Sequence, residues 1–190
     1  MFSPAFLEAH RDWTVSRWVL PLLDQPAIEI ADMSIMTFGL SGEVAEVADI
    51  VEQWAISGIC DTSNLVKELG DVIFYWSRLS ARFNLPYVAL LTESDVSDRC
   101  KGCPAARPPV LEVLRMVRAA GLASEAIKKY LRDGALSTDK LARGMQDLYQ
   151  AWLTVCIAAG LEPADVIDSN RDKVEGRVVR GTQRGSGDDR

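Results

Sequence analysis

Four acidic residues in the first half of the chain are spaced as two carboxylate pairs on two helices. Glu43 and Glu46 are three residues apart, and so are Glu68 and Asp71. Residues three apart lie on one face of an α-helix, so each pair presents two carboxylates in one direction. Four converging carboxylates repel one another unless a cation neutralises them, and hard oxygen ligands suit Mg²⁺ or Mn²⁺. The spacing therefore predicts a divalent-metal site made of Glu43, Glu46, Glu68 and Asp71.

A polar and cationic face is predicted near the other end of the chain. Asn170, Lys173 and Arg177 stand at i, i+3 and i+7, so they share one face of a helix. Together with the acids they would form a composite site, with metal on one wall and phosphate-binding cations on the other. The alternative is a solvated charged face, because Lys and Arg near a helix C-terminus also complement its dipole.

The elements that must position these residues are predicted to be helices. Apolar residues recur at alternating steps of three and four in both acidic segments. The predicted buried stripes are Met33, Met36, Leu40, Val44, Val47, Val51 and Trp54 in the first segment, and Leu65, Leu69, Val72, Trp76, Leu79 and Phe83 in the second. Periodicity and end signals predict main helices over residues 6–23, 28–57, 64–83, 110–131, 138–159 and 163–177, with a short helical segment over 85–91. The expected fold class is all-α.

The second half of the chain repeats the first at a distance of 76 residues. Its stripe is Leu141, Met145, Leu148, Trp152 and Val155. Asp147 falls opposite Asp71, and Gly160 falls opposite Asn84, two residue types that end helices in the left-handed conformation. We infer an internal tandem duplication of a helical pair. The alternative is that two amphipathic helices share a stripe by chance.

The second copy is chemically degenerate. In a looser match of the preceding helix, Glu125 falls opposite Glu43 and Lys128 opposite Glu46, while Gly144 falls opposite Glu68. At most two of the four acids are kept, so the second copy is not expected to bind the metal.

Composition excludes several classes of function. The longest largely apolar run, residues 151–161, is too short to span a membrane, and residues 1–11 have no charged region ahead of an apolar stretch, so we expect a cytoplasmic protein with no membrane partner. A net charge of −6 disfavours a nucleic-acid surface. Cys100 and Cys103 lack the second pair that a zinc site needs, so reduced thiols are expected. Since His10 is the single histidine, most catalytic triads and a Glu-x-x-His di-iron bundle are disfavoured.

The domain organisation follows from the change in composition at residues 94–109, a stretch rich in Asp, Ser, Arg and Pro that indicates a linker. Residues 1–93 form the predicted catalytic half. Residues 110–177 are predicted to complete the bundle and the phosphate wall, and residues 178–190 to form a disordered tail.

These residues resemble the all-α nucleoside triphosphate pyrophosphohydrolases, which include MazG, the dimeric dUTPases and phosphoribosyl-ATP pyrophosphohydrolase. The family pattern is Glu-x-x-Glu followed at a distance by Glu-x-x-Asp. Here Glu43-Val44-Ala45-Glu46 is followed after 21 residues by Glu68-Leu69-Gly70-Asp71. The sequence Leu-Gly-Asp-Val at residues 69–72 is typical of the MazG-like branch. Asn170, Lys173 and Arg177 are similar to the family's phosphate-contacting helix. Most MazG-like proteins are single-copy, so the tandem layout is closer to the dimeric dUTPases.

The resemblance implies a MazG-like helical bundle and hydrolysis of a (deoxy)nucleoside triphosphate to the monophosphate and pyrophosphate. It implies Mg²⁺ held by the four acids, with Asn170, Lys173 and Arg177 on the outgoing pyrophosphate. Glu43 is our choice of general base, although the sequence does not separate it from Glu46. A dUTPase, a dCTPase and a house-cleaning enzyme for damaged nucleotides all stay open, and a homodimer is expected. Trp18, Trp54 or Trp76 could stack on a base, but core packing is the favoured role. The non-enzymatic alternative is a helical interaction or dimerisation module with a solvated acidic face.

Overall fold

The computed structural model describes residues 4–18, 27–85 and 108–182, and this part of the chain contains six α-helices and no strand. The all-α prediction is confirmed. No helix among these residues combines the length and the hydropathy that crossing a bilayer requires. The helices are α1 (Pro4–Arg17), α2 (Ala27–Ser57), α3 (Thr62–Arg82), α4 (Val110–Asp133), α5 (Thr138–Ala158) and α6 (Pro163–Arg180).

The predicted apolar stripes form the core. Every stripe residue of α2 and α5 is buried, and in the α3 stripe Phe83 alone is only partly buried. Burial of these side chains is the main force that holds the helices together. Removing one large apolar side chain from water contributes roughly 1.5–3 kcal/mol to the free energy of folding.

Helices α3 and α5 end in the same way. Asn84 has a φ of +46° and Gly160 a φ of +72°, the left-handed conformation expected for both. The amide of the residue that follows then bonds back across the last turn. These bonds join Leu85 N to Ser80 O at 3.0 Å and Leu161 N to Cys156 O at 2.9 Å.

Two reciprocal hydrogen bonds join α3 to α5 at the centre of the bundle. Trp76 Nε1 donates to the carbonyl of Met145 at 2.7 Å, and Trp152 Nε1 donates to the carbonyl of Leu69 at 2.9 Å. Donors and acceptors each stand 76 residues apart, so each bond is the counterpart of the other. The helices therefore run antiparallel and meet through equivalent groups. Around them, α2 packs on α3 and α4, α4 on α5, and both α1 and α6 on α3.

Two helix ends differ from the prediction by three residues or more. Helix α1 ends at Arg17 rather than at residue 23, because Trp18 leaves the helix, donates its indole N–H to Asp32 and packs against Phe74. Helix α6 continues to Arg180, so the expected tail is helical over residues 178–180. It ends there because Gly181 takes the left-handed conformation, with a φ of +67°.

Several predictions fall on parts of the chain outside the described residues. These are residues 19–23 of the predicted first helix, the segment over 86–91, the linker up to residue 107 with Cys100 and Cys103, and the tail from residue 183. The other two cysteines, Cys60 and Cys156, are free thiols. The division into two halves stays a prediction.

Candidate functional site

Three of the four predicted acids converge between α2 and α3. Glu43, Glu68 and Asp71 each place one carboxylate oxygen within 4.8 Å of the others. Over residues 4–18, 27–85 and 108–182, this is the only group of three or more acidic, histidine or cysteine side chains gathered so closely. Glu68 is buried, with 8% of its surface exposed, and the other two are half-buried.

Glu46 does not join this group. It lies one turn after Glu43 on α2, but it is exposed and is not among the three carboxylates that meet. Its negative charge still acts on Glu43, whose pKa it helps to raise. The structure therefore places Glu46 at the solvent edge of the acidic cluster, where the i, i+3 spacing alone predicted equal membership.

The electrostatic environment of the cluster changes the pKa of the Glu43 carboxyl group. Burial, followed by the negative charges of Asp71, Glu46 and Glu68, raises the pKa of Glu43 to about 8, while Lys173 opposes the rise. Without a cation in the cluster, Glu43 therefore keeps its proton at neutral pH. A cation that binds here must displace that proton.

Two residues of the C-terminal helix contact the acidic cluster. Asn170 Nδ2 donates a hydrogen bond to Asp71 Oδ1 at 2.6 Å, and Lys173 Nζ donates to Asp71 Oδ2. Both side chains of the Lys173–Asp71 ion pair are largely buried, with 16% and 17% of their surfaces exposed. Arg177 lies one turn further along the same face of α6 and is half-buried.

A close approach of α3 and α6 allows these contacts. A Cβ atom at Gly70 would lie 2.8 Å from Asn170 Cβ and 3.2 Å from Asn170 Nδ2, which is closer than packed atoms tolerate. Gly70 is thus a positioning residue that the acidic motif alone did not identify. The available signal was a glycine in a helix interior, which costs roughly 1 kcal/mol and so needs a packing reason.

Helix α6 is also anchored to α1. Glu175 accepts hydrogen bonds from Trp13 Nε1 at 2.8 Å and from Arg17 Nε at 2.7 Å. These bonds, with Arg17 first and Trp13 second, lower the pKa of Glu175. The anchor holds α6 within reach of Asp71, a role for the first helix that the sequence pattern did not reveal.

The tryptophans considered for base stacking differ in their surroundings. Trp54 and Trp76 are buried, with 7% and 1% of their surfaces exposed, in keeping with the packing role favoured for both. Trp18 is half-buried, and the guanidinium carbon of Arg78 lies 5.1 Å from its ring centroid.

Comparison with known proteins identifies no similar protein from which a role for this site could be inferred. No family model, no curated protein and no solved structure matches the chain. Its function is therefore argued from the side chains that meet at Asp71.

Proposed function

We propose that this protein is a Mg²⁺-dependent nucleoside triphosphate pyrophosphohydrolase of the MazG-like type, which cleaves its substrate to a nucleoside monophosphate and pyrophosphate. The observation that carries the proposal is the meeting of three carboxylates from α2 and α3 with the ammonium group of Lys173 and the amide of Asn170 from α6. Acids suited to metal and a cation suited to phosphate share one small site.

The residues fit a hard divalent cation. All three converging side chains offer carboxylate oxygens, which Mg²⁺ and Mn²⁺ prefer. Burial and then the negative charge of neighbouring carboxylates raise the pKa of Glu43, and a cation would neutralise that charge. The buried Oδ1 of Asn170, which has no hydrogen-bond partner in the described part of the chain, adds a further oxygen acceptor beside Asp71.

Each residue has a role in the proposed reaction. Glu43, Glu68 and Asp71 would hold the ion, which when bound would neutralise triphosphate charge and lower the pKa of a bound water. Glu46 lies outside these three, so its carboxylate is left to accept a proton from the attacking water. We therefore move the role of general base from Glu43, our choice from sequence, to Glu46.

Lys173 would serve in two states. Its ammonium group is paired with Asp71 in the structure. When a divalent ion neutralises Asp71 instead, Lys173 can turn to a phosphate oxygen, and Arg177 extends the same cationic face. Lys173 thus links occupation of the acidic cluster to binding of the phosphate chain.

The experiment is a panel of canonical and modified dNTPs, including dUTP and dCTP, assayed with Mg²⁺ for pyrophosphate against orthophosphate. We expect pyrophosphate from at least one of them. Glu68→Gln should lower its release by about a thousandfold or more, since it removes a metal ligand. Glu52→Gln is the matched control, because Glu52 is an exposed acid of α2 outside the cluster, and it should keep full activity.

Melting curves with and without Mg²⁺ show whether the Gln variants are folded and whether the metal binds. The interaction-module alternative predicts no pyrophosphate from any dNTP and no effect of Mg²⁺ on melting. That pair of results would overturn the proposal. The homodimer expected from the sequence stays a prediction.

A further inference from the structure

A cavity lies between α4 and α5, in the half of the chain that is predicted to repeat the first. Its volume is about 430 Å³, which is within the range of small-ligand sites. Its lining includes Asp147, which stands opposite Asp71 in the predicted 76-residue repeat. It also includes Glu125, which falls opposite Glu43 in the looser match of the preceding helix. The cavity thus occupies the place in the second half that the acidic cluster occupies in the first.

The net charge of the side chains that line this cavity is positive, whereas that of the acidic cluster is negative. Four cationic side chains and two carboxylates line it: Arg118, Lys129, Lys140, Arg143, Glu125 and Asp147. In the part of the chain that the structure describes, the single group of acids close enough to hold a metal is the one at Glu43, so this cavity lacks such a group. Cations exceed acids, and the site is suited to an anion.

Both carboxylates already have cationic partners. Glu125 accepts a hydrogen bond from Lys128 and lies 3.3 Å from Lys129 Nζ, and bonds from these two lysines lower its pKa. Asp147 Oδ2 accepts a hydrogen bond from Arg118 at 2.8 Å. Neither acid therefore presents an uncompensated negative charge to an anion.

Two of the cations are left for a ligand. Neither Lys140 nor Arg143 forms an ion pair with a carboxylate within residues 4–18, 27–85 and 108–182. Arg143 Nε donates to the backbone carbonyl of Asp139 at 3.1 Å, which fixes the guanidinium and leaves its terminal nitrogens available. Asp139 supplies the one acidic side chain of the first turn of α5.

Next to the lining residue Arg143, Gly144 lies where α5 passes close to the backbone of α4. A Cβ at Gly144 would lie 3.1 Å from the backbone nitrogen of Ala123 and 3.3 Å from the carbonyl oxygen of Ala119. A side chain here, opposite Glu68 in the predicted repeat, would be crowded by the backbone of α4. Lys140 and Arg143 line the cavity on the same helix as Gly144.

We propose that this cavity binds a polyphosphate, meaning two or more linked phosphates, without a divalent metal. Lys140 and Arg143 on α5 take the charge-neutralising role that metal ions play for polyphosphates elsewhere. The paired cations Arg118 and Lys129 of α4 line the same cavity and add to its positive charge. This site is separate from the acidic cluster and does not depend on the activity proposed there.

The test is calorimetric titration of the full chain with sodium tripolyphosphate in the presence of EDTA, which removes divalent ions. The wild type should bind saturably, and the double variant Lys140→Ser with Arg143→Ser should bind at least tenfold more weakly. The control double variant Arg82→Ser with Arg132→Ser removes the same charge outside the cavity, and it should bind as the wild type does. Absence of saturable binding to the wild type, or equal binding by the Lys140 and Arg143 variant, would overturn the proposal.

Amide chemical shifts locate the ligand independently of the variants. Tripolyphosphate in EDTA should shift the resonances of residues 118–147, and shifts confined to α6 around Lys173 would contradict the proposal. Orthophosphate should bind at least tenfold more weakly, and equal affinity for it would overturn recognition of a phosphate chain. The same titration with dUTP and dATP distinguishes two possible ligands of the cavity. An affinity equal to that of tripolyphosphate supports inorganic polyphosphate as the ligand, and tighter binding supports a nucleotide.

Discussion

The carboxyl group of Glu43 lies where burial and three neighbouring carboxylates act in the same direction. Together they raise its pKa to about 8, although Lys173 partly opposes them. A raised pKa means that the folded protein holds a proton which the unfolded chain releases near pH 4.5. Glu43 therefore couples the stability of the metal-free protein to pH.

The expected sign is a loss of stability with rising pH. In EDTA, the free energy of unfolding should fall between about pH 4.5 and pH 8, by at most about 5 kcal/mol from this residue, because the folded state binds the extra proton throughout this range. Glu43→Gln should remove most of this slope, and saturating Mg²⁺ should also remove it, since the ion binds the ionised form. Urea unfolding at pH 5, 7 and 8.5 measures the effect.

Glu52→Gln is the control for removal of an acid from α2. It should keep the slope of the wild type, because Glu52 lies outside the acidic cluster. Equal slopes in wild type and Glu43→Gln would show that Glu43 is not protonated in the folded protein, and the charge repulsion inferred for the site would be wrong.

At the scale of the helices, the site depends on how closely α3 and α6 approach. Gly70 leaves the space into which Asn170 packs, and Asn170 in turn donates to Asp71. Helix α6 is held from its other side by Arg17 and Glu175. A carboxylate of the acidic cluster on one helix is therefore oriented by a neighbouring helix that contributes no carboxylate to the cluster.

Gly70→Ala should disturb this contact. The new methyl group would push Asn170 away from Asp71, so we expect a loss of about 1–3 kcal/mol in stability despite the better helix propensity of alanine. We also expect at least tenfold weaker Mg²⁺ binding by calorimetry. Gly121→Ala is the control, because nothing lies within 4 Å of the Cβ position and the helix should gain up to about 1 kcal/mol. Unchanged Mg²⁺ affinity in Gly70→Ala would show that Asn170 does not orient Asp71.

At the scale of the whole molecule, the two predicted halves of the chain support each other through groups that stand 76 residues apart. The indoles of Trp76 and Trp152 bond across the α3–α5 contact to carbonyls of the opposite half. Tyr149 lies beside both rings, with centroids 5.2 Å and 5.9 Å away. The half that carries the acids is thus packed on the half that carries Lys173, and a site shared between them needs both.

Trp76→Phe and Trp152→Phe should destabilise the protein by similar amounts, about 2–3 kcal/mol each, because each removes one buried hydrogen bond and part of a ring. Chemical denaturation measures the loss. Trp54→Phe removes the same volume from a buried tryptophan whose indole makes no hydrogen bond with the described residues, so it should cost about 1 kcal/mol less. A cost for Trp54→Phe equal to the others, or no cost for one of the pair, would contradict the reciprocal role of these bonds.

The sequence by itself determined the helices, their buried stripes and the nearness of the acids, because these depend on periodicity and on spacing along one helix. It also paired the acids with Asn170 and Lys173, through the contrast between the two predicted copies. Tertiary structure alone decided that Glu46 lies outside the cluster, that Gly70 admits Asn170 and that α1 holds α6. These outcomes depend on the distance and rotation between helices, which many distant contacts set together and which no local pattern of residues records.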